Sequence, residues 1–190
     1  MPERGDLDPS LLELDRLTTS RCDLRLATAE DEPRVVPIFA ENLDLLRRTG
    51  ATETPEVYAS DVVLNTTLPP GGSVDRARSF LIRENNRPEI VGILAFYVGY
   101  PTTRTLYIGT LFLRPAWQRR AFGREVMREV EKRTGGAAIH EIRLGVDPGN
   151  WEALRFWVRI GYTHITRISD GGADANPTEP PRLELAKILT

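Results

Sequence analysis

Late in the chain, two β-rich runs each return through a helix to another β-rich run. This constrains the fold more than any other feature. Thr105–Leu113 is rich in Leu, Tyr, Ile and Phe, and Gly123–Thr134 has helical spacing, with Phe122, Val126, Met127 and Val130 on one face and Gly135-Gly136 as the stop. Ile139–Val146 alternates Ile142, Leu144 and Val146 as a strand, Trp151–Ile160 is a helix capped by Asn150 and stopped by Gly161, and Tyr162–Ile168 is again a strand. Such crossovers cannot be hairpins, so two in succession demand a mixed sheet with helices covering its faces.

The upstream sequence fits that frame. Leu24 and Leu26 around Arg25 mark a first strand. A helix starting at Thr28 or Asp31 runs through Val35, Val36, Ile38, Phe39, Leu43 and Leu46 and ends at Gly50, and a second follows Thr54-Pro55. After Pro69-Pro70-Gly71-Gly72, Ser79–Arg83 and Ile90–Gly99 flank a polar turn and predict a β-hairpin; Leu183–Leu189 predicts the last strand, after a long polar loop at Ser169–Arg182. Residues 1–21 form an acidic extension in which Asp8-Pro9 starts a short helix, and 22–190 form one domain, as a 190-residue chain allows.

Composition excludes several classes. Cys22 is the only cysteine, which rules out an internal disulfide framework and fits a reducing cytoplasm. The acidic, polar N-terminus is not a secretory signal, and no apolar run approaches a membrane span, so the expectation is a cytoplasmic domain without a membrane partner. A net charge of −2 argues against nucleic acid as a partner. His140 and His164, the only histidines, lie far from any metal-ligand spacing, so no metal is expected.

The chemistry concentrates at Leu111–Arg124. A strand ends, Pro115 turns the chain, and a helix begins at about Ala121–Gly123, while seven basic residues fall between Arg114 and Arg133 against three glutamates. Small residues at such a turn let backbone N–H groups point outward beside a positive dipole end, which with Arg119, Arg120 and Arg124 would seat a diphosphate. An ordinary strand-to-helix turn with solvated arginines would look the same. Neither a Walker loop nor the spaced glycines of a dinucleotide fingerprint is present.

Leu113-x-Pro115-x-x-Gln118-x-x-Ala121-x-Gly123 resembles the acetyl-CoA signature of the GNAT N-acyltransferase superfamily. Asn150-x-x-Ala153-x-x-Phe156-Trp157-x-x-x-Gly161-Tyr162 is similar to that family's second signature. The resemblance covers about residues 22–190. It implies an α/β (α+β) fold with a mixed, mostly antiparallel sheet of six to seven strands and about four helices. It also implies acetyl-CoA as co-substrate, a small-molecule or peptide amine as acceptor, and often a homodimer.

The resemblance further implies that the strand Thr105–Leu113 splays from its neighbour and pairs with the pantetheine arm through Leu111 and Leu113, beside Phe112. Backbone amides of Gln118, Arg119, Arg120, Ala121, Phe122 and Gly123, with Arg124, would take the pyrophosphate. Asn150 would hold the pantetheine or order the site.

Three departures from the family stand out. Ala121 replaces the first glycine of the turn, which is tolerable if its φ stays negative. Trp157 occupies the place of the usual tyrosine acid. An indole cannot supply a proton near neutral pH, so Trp157 reads as packing residue, with Tyr97, Tyr107 and Tyr162 as candidate hydroxyls. Tyr107, Gly109 and Thr110 stand where relatives often carry a glutamate base. Acids elsewhere are Glu41, Asp44, Asp61, Asp147, Asp170, Asp174 and Glu179. The sequence therefore leaves three readings: an acetyl-CoA-dependent N-acetyltransferase, a catalytically weak CoA-binding or sensor protein, and a cofactor-free interaction module.

Overall fold

Alternating apolar residues build one eight-stranded sheet among the residues described by this computed structural model, namely 9–135, 138–169 and 182–189. In chain order the strands are β1 (Arg16–Thr18), β2 (Cys22–Leu26), β3 (Ala77–Glu84), β4 (Ile90–Val98), β5 (Thr105–Leu113), β6 (Glu141–Val146), β7 (His164–Ser169) and β8 (Arg182–Ile188). Their spatial order is β1-β2-β3-β4-β5-β6-β8-β7, and only the β5–β6 pair is parallel. No helix among the described residues is long and apolar enough to cross a membrane.

Neighbouring strand residues feed opposite cores, because side chains alternate across a sheet. Phe80 and Ile82 of β3 join Phe122, Val126, Met127 and Val130 of α4 (Phe122–Gly135) and Trp157 of α5 (Trp151–Arg159). Leu81 and Ile93 face the other way. They pack with Val35, Ile38 and Phe39 of α1 (Glu32–Ala40), Leu46 of α2 (Leu43–Arg48), and Ala59 and Val63 of α3 (Pro55–Leu64).

The mixed, mostly antiparallel α+β architecture is the expected one, with eight strands instead of six to seven and five α-helices instead of about four. The added strand is β1, which pairs with β2 and buries Leu17. The added helix arises because the single helix predicted from Thr28 or Asp31 to Gly50 is broken. Buried Asn42 turns its Nδ2 back onto Ile38 O at 2.7 Å and onto Leu113 O at 3.1 Å, and α2 restarts after it. The helix expected after Asp8-Pro9 is a single 3₁₀ turn, Pro9–Leu11.

Candidate active site

The site forms where β5 outruns its parallel partner. Pairing with β6 runs from Thr105↔Glu141 to Ile108↔Leu144 and stops, whereas β5 continues to Leu113. A bulge starts the divergence. Ala95 pairs with Thr110 and Phe96 with Ile108, so Gly109 is the extra residue, and bulges bend and twist a strand locally. Arg114 N–H donates to Val91 O on the β4 side at 2.8 Å, so strand alternation turns the Leu111 and Leu113 backbone toward the open edge. Phe112 points to the α1 side, 5.5 Å from the Phe39 ring.

A clamped turn follows. Gln118 Nε2 donates to Leu113 O and to Asn42 Oδ1, both at 2.8 Å, tying the turn to the strand end and to the junction between α1 and α2. Arg119 (φ 56°) and Ala121 (φ 65°) are left-handed, with Arg120 between them outside that region. Alternation of this kind makes successive N–H groups converge into an anion-binding nest. Ala121 therefore departs from the expected negative φ. The chain keeps a turn shape that suits glycine, at a cost of roughly 1–2 kcal/mol for the methyl group. Arg119, Arg120, Ala121 and Arg124 are exposed, while Phe122 and Gly123 are buried. A Cβ on Gly123 would lie 3.2 Å from Phe156 Cζ, so this position lets the start of α4 approach α5. The turn is braced from β2's side as well: Arg21 Nη1 donates to Arg120 O at 3.1 Å, and its guanidinium lies 4.3 Å over the Phe122 ring.

The other expected residues divide into two groups. Tyr107 stands at the apex of the splay, in register with Arg143 on β6 and Tyr97 on β4. Its hydroxyl would be 3.0 Å from a Cβ on Gly145, and Tyr100 meets its ring edge-on at 5.5 Å. Burial, followed by the Glu184 carboxylate, pushes the Tyr107 phenol up to about 12. Asn150 is the N-cap of α5, accepting from Ala153 N at 3.1 Å. Trp157 is buried with its ring edge-on to Phe156 and Tyr162, as a packing residue should be. Tyr162 is wholly buried, with no hydrogen-bond partner for its hydroxyl among the described residues, and burial raises its phenol far above the usual value. Tyr97 Oη accepts from Ser73 N at 3.1 Å.

Among the acids, Glu41 is paired with Arg114, Asp61 accepts from Thr66 Oγ1, and Asp147 accepts from Gly149 N. Asp170, Asp174 and Glu179 lie outside the described residues. Sequence reasoning missed Glu184, which faces Gly145 across β6–β8 and holds Arg143 Nη1 at 3.1 Å near Tyr107. Its only sequence signal is the polar position inside Leu183-Glu184-Leu185. No group of three or more potential metal ligands occurs among the described residues.

The same fold recurs in solved proteins. An acetyltransferase from Thermus thermophilus is 24% identical with a TM-score of 0.65, over 87% of this chain and 97% of its own. The acetyl transferase from Salmonella typhimurium that modifies the N-terminal serine of ribosomal protein L7/L12 is 18% identical with a TM-score of 0.70, over 90% and 97%. RimL, a ribosomal L7/L12 alpha-N-protein acetyltransferase in complex with coenzyme A, is 16% identical with a TM-score of 0.66, over 91% and 97%. No curated protein sequence matches the chain. Residues 44–162, more than half of the chain and all of the splay and turn, match the acetyltransferase (GNAT) family. The chain belongs to that family of acetyltransferases.

Proposed function

We propose that the protein is an acetyl-CoA-dependent N-acetyltransferase that acetylates a primary amine of a small molecule or a protein by direct attack. The observation that carries this reading is the continuity of the open β5 edge with the left-handed turn at Arg119–Ala121. Acetyl-CoA would supply the activated acyl thioester. The backbone at Leu111 and Leu113 would hold its pantetheine arm, and the amides of Gln118–Gly123 with Arg119, Arg120 and Arg124 its pyrophosphate. Backbone N–H groups at the open edge would polarise the acyl oxygen, and Tyr107 at the apex would return a proton to the departing sulfur.

Titration of the protein with acetyl-CoA, beside the Arg119→Ala/Arg120→Ala double variant, tests the cofactor half. Micromolar-range binding weakened in the variant is expected, and no binding sinks the reading. Thiol release over an amine panel that includes peptides with free N-termini tests the chemistry. Those peptides belong in the panel because the Salmonella relative modifies a protein N-terminus.

Buried Trp157, at the place where the family's second signature has its tyrosine, favours one rival, a catalytically weak CoA-binding or sensor protein. That rival predicts acetyl-CoA binding without turnover on any amine, and turnover appearing in Trp157→Tyr.

A further inference from the structure

A second charged cavity lies away from the splay. Strands β1–β3, the start of β4 and the first turn of α1 border an open cavity of about 320 Å³, lined by Arg16, Arg25, Arg34 and Arg83, by Asp23, and by apolar Leu81, Pro88 and Ile90. The cavity meets β4 only at its first residue, Ile90, and its lining includes no residue of β5, β6 or the Gln118–Gly123 turn. Two carboxylates tie the four arginines together. Asp23 accepts from Arg16 Nε at 2.5 Å and Arg83 Nη2 at 2.8 Å; Asp31 accepts from Arg25 Nη2 at 2.5 Å and Arg34 Nη1 at 3.4 Å.

The stoichiometry is the informative feature. Four guanidiniums against two carboxylates leave a local charge of +2 in a chain whose net charge is −2. The carboxylate side chains are 10% and 3% exposed, whereas the arginine side chains are 41–64% exposed. Asp31 is therefore turned inward, Asp23 lines the cavity but is shared between two arginines, and the cations reach solvent. Each guanidinium has five N–H donors in a planar fork, so donors remain for a further anion. A purely structural role needs only one arginine per carboxylate. The cavity also continues into a neighbouring groove of about 430 Å³ that shares Arg34, Arg83, Pro88 and Ile90 and adds Pro37, Glu89 and Arg114, giving room for a ligand body beside the charged head.

We propose that this Arg16–Arg25–Arg34–Arg83 cavity is a second binding site, for a small organic dianion: a phosphate ester or a dicarboxylate. It is independent of the cofactor turn and does not rest on the acetyltransferase reading.

The test is calorimetric titration of the full chain with phenyl phosphate and with phthalate, in the Arg119→Ala/Arg120→Ala background so that the turn does not compete for anions. Saturable binding of at least one probe is expected, weakened roughly tenfold or more by adding Arg34→Ala/Arg83→Ala. Those substitutions leave Asp31 with Arg25 and Asp23 with Arg16, so the fold should survive, and a thermal melt checks it. Arg34→Glu alone, at an exposed side chain, gives a second variant that should also lose binding. A response to phenyl phosphate alone assigns a phosphate ester, and one to phthalate alone a dicarboxylate. Absence of binding for both probes, or undiminished binding in the Arg34 variants, overturns the proposal.

Discussion

Glu125 of α4 grips Arg21 twice, accepting its backbone N–H and its side-chain Nε, each at 2.7 Å, and so ties the start of α4 to the chain leading into β2. Ser20 Oγ adds a third bond at 2.9 Å. Burial alone would raise the Glu125 carboxyl, but the bonds from Thr19, Arg21 and Ser20 outweigh it and hold the group at about 2.

A folded-state value depressed from 4.5 contributes stability that is full above the ordinary value and lost as pH falls toward about 2. Asp31, held at about 2 chiefly by Arg25, acts in the same direction. Urea unfolding should therefore show stability falling between about pH 4.5 and 2. Glu125→Gln should cost roughly 1–3 kcal/mol at pH 7 and flatten that acid limb. An unchanged limb in Glu125→Gln would show that this carboxylate is not responsible.

Ala121 carries a methyl group at φ 65° in a turn built on backbone amides. Ala121→Gly should relieve that crowding by about 1 kcal/mol and raise the melting temperature by about 2–4 °C, with acetyl-CoA binding retained. Ala121→Val should do the opposite, because a β-branched residue tolerates this region least. A lower melting temperature for Ala121→Gly would mean that the left-handed turn is wrong.

Such conformations explain which parts of this protein were legible in its sequence. Strand β5 was predicted with its observed bounds and α4 within one residue at each end, because β5 is a run rich in apolar and aromatic residues, α4 has an apolar face at helical spacing, and Pro115 and Gly135 punctuate them. The turn after β5 was legible as a strand-to-helix turn because it is local. Strand β1 was not, since three residues with one buried leucine are too short for alternation to register. Asn42 broke a predicted helix because its partner Leu113 lies 71 positions away, and helical spacing carries no trace of that contact. Glu184 joined Tyr107 only through the register of three strands. The sign of the Ala121 φ depended on how the whole turn closes, which the missing glycine concealed.

Asn42 couples three elements: its Nδ2 donates to Ile38 O and Leu113 O, and its Oδ1 accepts from Gln118. Removing it leaves a buried carbonyl and amide short of partners, which costs roughly 1–3 kcal/mol. Asn42→Ala should show that loss in urea and should also weaken acetyl-CoA binding, because Gln118 and the strand end lose a common anchor. Loss of stability with unchanged binding would show that the turn holds its shape without the Asn42 link.

Tyr107 gives the sharpest kinetic prediction. Its phenol, raised to about 12 by burial, stays protonated through the range in which an amine acceptor becomes neutral, so it can donate whenever the acceptor can attack. The rate should therefore rise with pH as the amine loses its proton and show no falling limb near the ordinary tyrosine value of about 10. Tyr107→Phe should lower kcat by roughly 10²-fold or more with little change in KM for acetyl-CoA, and should leave the melting temperature near that of the parent because the half-buried ring is kept. Full activity in Tyr107→Phe would assign the proton to water and leave this tyrosine as a wall of the splay.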